Sequence, residues 1–104
     1  MDDVITLVAE TITGHDKYGN EIKTTSSRDI FCRVYSVDRN EFYSAATAGF
    51  KPELTVRISD YMDYQGEKIA KLHGIEYDII RTYMGRTLDL NELELVLQRT
   101  IANG

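Results

Sequence analysis

The stretch RNEFYSAATAGFKPELTVRIS at residues 39–59 carries two periodicities in succession, and the change from one to the other decides how the chain is read. In its first half Phe42, Ala45, Ala46 and Gly49 fall at i, i+3, i+4 and i+7, which places one apolar stripe on a helix of about three turns. Asp38 stands where it can cap the first turn, and Glu41 follows three residues on, a pairing that resembles a capping box with Asp in place of Ser or Thr. Gly49 supplies a stop, and Pro52 biases Lys51 toward extended backbone. In the second half Leu54, Val56 and Ile58 alternate with Thr55, Arg57 and Ser59, the period of a strand with one core face and one wet face. The spacing therefore predicts a short helix over about residues 39–49, inserted between strands.

Outward from this stretch, every other periodic segment reads as β. Residues 3–12 set Ile5, Leu7 and Ala9 against Thr6, Val8 and Glu10. Gly19 and Asn20 are turn chemistry, so residues 21–25 are expected to fold back or to run out as a loop tip. Residues 28–37 form a second long strand with Ile30, Cys32 and Val34 on one face and Phe31, Arg33, Tyr35 and Val37 on the other. Bulk on both faces predicts that both are covered. After the turn-rich DYMDYQG, residues 67–72 and 75–83 read as a hairpin joined at His73 and Gly74. A last strand over residues 92–99 sets Leu93, Leu95 and Leu97 against Glu92, Glu94 and Gln98. The end, Ala102 to Gly104, is expected to fray.

Short antiparallel strands must close or stack to hide their edges. The expected fold is mainly β: a small antiparallel β-barrel of about six strands with one short helix, as a single domain over residues 1–104. The lone cysteine, Cys32, excludes an internal disulfide and suits reduced, intracellular folding. The opening MDDVITLVAE has acidic residues where a signal peptide needs basic ones, and no apolar run approaches the roughly 20 residues of a membrane span, so no membrane association is expected. Asp and Glu number 17 against 12 Lys and Arg, without a basic stripe, which disfavours nucleic-acid binding. A surface that repels a polyanion is still useful to something that DNA slides past.

Chemistry-bearing groups are sparse. The glycines form neither a phosphate loop nor a dinucleotide fingerprint. His15 and His73 sit in turns without a second ligand at metal spacing, and read as solvated turn residues. Cys32, mid-strand between Ile30 and Val34, reads as core filler. Asp60 and Asp63 fit no calcium-loop spacing and read as a solvated acidic turn. Glu92 and Glu94 imply either solvent or an opposing basic strand. Seven Tyr and three Phe are a surplus for a domain this small. Tyr77 and Tyr83 align with Ile75 and Ile79 and are expected to pack, whereas Tyr43 lies off the helix's apolar stripe, where contact with a partner and plain surface are equally open. No catalytic, metal or cofactor-binding residue is assigned.

The run RNEFYSAATAGFKPE at residues 39–53, with the D-x-Y-G-N-E turn at residues 16–21, GEK at 66–68, GIEYDIIRTY at 74–83 and ELEL at 92–95, resembles the head closure proteins of tailed bacteriophages, also called stopper or head-tail joining proteins. The likeness spans nearly the whole chain and rests on the order and spacing of the pieces. It implies a non-enzymatic barrel, without cofactor, that forms a homo-oligomeric ring in the virion neck. The ring would lie below the portal and its adaptor and above the tail, assembled in the host cytoplasm, retaining packaged double-stranded DNA and offering a surface to a tail protein. In such proteins the long connection between the second and third major strands faces the channel or a neighbouring subunit; here it is residues 39–53. Channel or subunit contacts are accordingly expected from Arg39, Glu41, Phe42, Tyr43, Phe50, Lys51 and Glu53. Within that set Phe42, with Ala45 and Ala46, is expected to bind the helix to its own or an adjacent barrel, leaving Arg39, Glu41, Tyr43 and Lys51 free to meet DNA or a partner. A tail terminator or tail-completion protein is the neighbouring alternative; a peptide-binding barrel and a hydrolase using Asp60 and Asp63 are more distant ones.

Overall fold

In the computed structural model, which describes residues 2–84 and 90–100, six antiparallel strands close into a barrel in the order β1-β2-β3-β6-β5-β4. They are β1 (Asp2–His15), β2 (Glu21–Ser36), β3 (Leu54–Ile58), β4 (Ile69–Leu72), β5 (Ile75–Met84) and β6 (Leu93–Arg99), with the helix α1 (Arg39–Thr47) between β2 and β3. The mainly β barrel with one short helix read from the sequence is the fold observed. The strand periods read from the sequence hold in the core, where Ile5, Leu7, Val56, Ile58, Leu93, Leu95 and Leu97 point inward and Cys32, Ala70, Leu72 and Tyr77 fill the space between them. The fraying expected for Ala102 to Gly104 lies outside the described residues.

The first departure concerns the β1–β2 hairpin. Both strands run further than expected, β1 to His15 and β2 back to Glu21, so the residues 21–25 fold back as strand. The turn between them is built by Asp16, whose carboxylate accepts from the amides of Tyr18 (2.8 Å) and Asn20 (2.9 Å) while Gly19 takes a positive φ of 83°. These bonds favour the ionised carboxylate and hold its pKa below the ordinary value. Only Thr6–Val8 of β1 pair with β4, and only residues 33–36 of β2 pair with β3. Beyond these seams residues 9–15 and 21–27 leave the barrel as a two-stranded arm. A radius of gyration of 15.2 Å reflects it, against about 13 Å for a compact chain of this length.

Two further departures concern faces. The outer face of β2 is not covered: Phe31 is 76 % exposed, opposite the 42 % exposed Val4. The outer face of β3 and β6 is not wet: Thr55 and Val96, partners in register, are buried, as is Glu94. Glu94 meets the basic strand that was one of its two expected settings, with Arg57 Nε 3.6 Å away and stacked over Tyr35. In β5 an extra residue between Ile79 and Arg81 shifts the register, so Ile79 faces Leu97 inside while Arg81 and Tyr83 face Val96 and Glu94 outside. Tyr77 is packed in the core, but Tyr83 is not part of it.

Candidate interaction surface

Helix α1 begins as its sequence predicts, with Asp38 Oδ1 accepting from the Glu41 amide at 2.7 Å. It ends earlier than residue 49, at Thr47. Gly49 N–H donates to Ala46 O and Phe50 N–H to Ala45 O, and Gly49 holds a φ of 88°. This is a Schellman closure, and the left-handed position is why glycine stands there. Lys51 N–H then donates to Gln98 Oε1 (2.6 Å) and Glu53 N–H to Leu97 O (2.8 Å), fastening the outgoing chain beside β6.

The face that α1 turns to the barrel differs from the expected stripe. Glu41 and Ala45, one turn apart, are its buried residues, and Phe42 and Ala46 are exposed. Glu41 Oε2 accepts from the Tyr83 hydroxyl at 2.8 Å, Arg81 donates to that hydroxyl at 3.2 Å, and Arg81 Nη1 lies 3.6 Å from Glu41 Oε1. Hydrogen bonding to Tyr83, ahead of the charge of Glu41, raises the Arg81 pKa further. A carboxylate that reads as free in sequence is thus the polar anchor of the helix, because the shifted register of β5 places Tyr83 outside to receive it. The expected division of the segment is corrected for Glu41, and Phe42 and Ala46 do not bind the helix to its own barrel, which Ala45 does.

What remains outward is an aromatic cluster. Phe42 and Tyr43 meet edge to face at 6.1 Å, and Phe50 lies beyond the helix end. A hollow of about 440 Å³ opens between Phe42, Ala46 and Gly49 on one side and Phe50 to Glu53 on the other. Lys51 lines it and is exposed, Arg39 is exposed at the start of α1, and Glu53 is exposed with Arg99 Nε 3.6 Å away. Of the seven residues singled out in sequence, six are therefore on the surface together and Glu41 is beneath them.

The other chemistry-bearing groups serve structure. Asp60 caps a single 3-10 turn, Tyr61–Asp63, by accepting from Met62 N–H at 2.9 Å. Glu67, missed in the sequence reading, is buried and gathers this loop: it accepts from Arg28 (2.8 Å) and from the Gln65 amide (2.6 Å), and Arg28 also donates to the Asp63 carbonyl. The isolated Glu in a glycine-bounded loop, with an arginine on the facing strand, is the only signal sequence offers for it. His73, at a φ of 52° in the β4–β5 turn, lies 2.7 Å from Asp3. His15 is exposed at the end of β1. Cys32 is buried, and burial, then the charge of Asp3, pushes its thiol up to about 11. Among the described residues no three His, Cys, Asp or Glu side chains gather as metal ligands, and no helix is long and apolar enough to cross a membrane.

No protein-family model matches the chain, and no curated protein matches it. A solved structure does: protein SF1141 from Shigella flexneri 2a, determined in solution, superposes with a TM-score of 0.72 at 18 % identity, over 98 % of this chain and 94 % of that one. Likeness at this identity extends to the fold alone, and it places the whole described architecture among barrels already known.

Proposed function

We propose that the protein is a ring-forming structural component of a phage or prophage virion neck, of the head closure kind, and that residues 39–53 are an assembly element. The observation that carries this reading is the set of outward aromatic side chains Phe42 and Tyr43 on the helix and Phe50 in the closure just after it, on a segment fastened at both ends. Aromatic side chains on a preformed support suit a docking surface, since little freedom is lost when a partner arrives. The acidic balance of 17 Asp and Glu against 12 Lys and Arg suits a ring through which DNA passes without adhering. The order of sequence pieces shared with head closure proteins supports the same reading.

The test is reconstitution. The purified chain should join a portal–adaptor complex as a ring, and Tyr43→Ala with Phe50→Ala should abolish joining while leaving the fold's circular dichroism unchanged. Failure of the wild-type chain to bind any such template overturns the reading. Particles lacking the protein should have filled heads that lose DNA; normal heads with aberrant tails would instead favour a tail terminator.

A further inference from the structure

The arm formed by residues 9–15 and 21–27 has, among the described residues, an open edge on each side. An exposed edge presents a row of unpaired amides and carbonyls, and soluble proteins blunt such edges with proline, lysine, inward charges or short length. Here the edges are seven residues each, AETITGH and EIKTTSS, spanning about 23 Å at strand rise. They contain no proline and three fixed charges, Glu10, Glu21 and Lys23. Six of these fourteen residues are β-branched, and Thr24 and Thr13 already bond across the arm. A two-stranded ribbon of this kind is marginal alone in water. Of the features that would keep it solitary the arm has one lysine, Lys23, and one register irregularity between Ile12 and Gly14, while proline and short length are missing.

We infer that the arm pairs edge to edge with the arm of a second copy of this chain, the β2 edge of one copy lying antiparallel against the β1 edge of the next. This rests on the ring reading above. The occupant follows from the hairpin itself: its two edges run in opposite directions and are both open over the length of the arm, so a neighbour related by rotation about an axis along the arm presents the antiparallel partner at the right level. Charge agrees. Glu10 is opposite Thr25, diagonal to Lys23 on the same face, and repetition of the hairpin sets each Lys23 between its own Glu10 and that of the neighbour. Such head-to-tail contacts close into a ring and leave no edge open.

Chains with one added cysteine test the arrangement, because the native Cys32 is buried. Thr11→Cys is mixed in turn with Ile22→Cys, Thr24→Cys and Ser26→Cys, positions that share a face and cover neighbouring registers, and oxidised. A disulfide-linked dimer is expected in at least one mixture and in none of the four chains alone. A dimer from a β2 variant alone means two-fold pairing and overturns the head-to-tail arrangement, as does the absence of a dimer in every mixture at the highest attainable concentration. A chain with residues 11–24 replaced by an Asn-Gly turn should keep its barrel, judged by circular dichroism, and lose self-association in sedimentation; undiminished association overturns the inference. Rings that form on a portal–adaptor template without the cross-link leave the neck reading standing and remove the edge pairing. Cross-linking by a chain that ignores the template does the reverse.

Discussion

At the scale of single residues, Glu41 and Phe42 exchange the roles their sequence positions suggest, and their substitutions should show it. Glu41→Ala removes the acceptor from Tyr83 and Arg81 and should cost about 1–3 kcal/mol, whereas Phe42→Ala, on the exposed face, should stay within about 0.5 kcal/mol of wild type in the same urea denaturation series. The sequence hides this because the apolar stripe Phe42, Ala45, Ala46, Gly49 is a valid helix face in isolation. Which face is buried depends on what the barrel offers, and the barrel offers a hydroxyl. Cys32 supplies a second measurable consequence. Its folded thiol titrates at about 11 against an ordinary 9.0, so the folded state holds the proton more tightly. Stability from this site is complete below pH 9 and is lost as pH rises toward 11, by up to about 3 kcal/mol. Comparing wild type with Cys32→Ala over that window isolates it from Tyr64, whose pKa is also raised by burial and by Glu67.

At the scale of elements, legibility followed locality. The helix start at Asp38, the turn at His73 and Gly74, and the alternation of β3 and β6 depend on neighbours within a few residues, and all stand where the sequence put them. The outward faces of Tyr83 and Phe31 do not. Tyr83 was displaced by one extra residue in β5, a register shift that no local pattern marks. Phe31 had a usable signal, since it shares its face with Asp29 and Arg33, yet aromatic bulk outweighed those two charges in the reading. Of the candidate surface, the segment was legible and its orientation was not. Gly49→Ala tests the helix closure separately from packing: a Cβ there meets nothing within 4 Å, so the cost is conformational. It should be about 1 kcal/mol by thermal or urea denaturation.

At the scale of the whole molecule, the barrel core is carried by β6, whose Leu93, Leu95 and Leu97 face inward beneath a covered outer side. Leu95→Ala should destabilise by about 2–5 kcal/mol in equilibrium unfolding, a larger loss than any single change on the arm or on α1. The strand order gives β6 a further importance, which concerns time. Among the described residues it is the last of the barrel strands in chain order, yet it sits between β3 and β5. As the chain leaves the ribosome, the β1–β2 and β4–β5 hairpins can each form early, but they have only the three-residue seam of Thr6–Val8 with Ile69–Lys71 to join them. Synthesis must pass β6 before the wall of the barrel is complete, so β6 acts as a keystone and the strands before it wait as an open sheet.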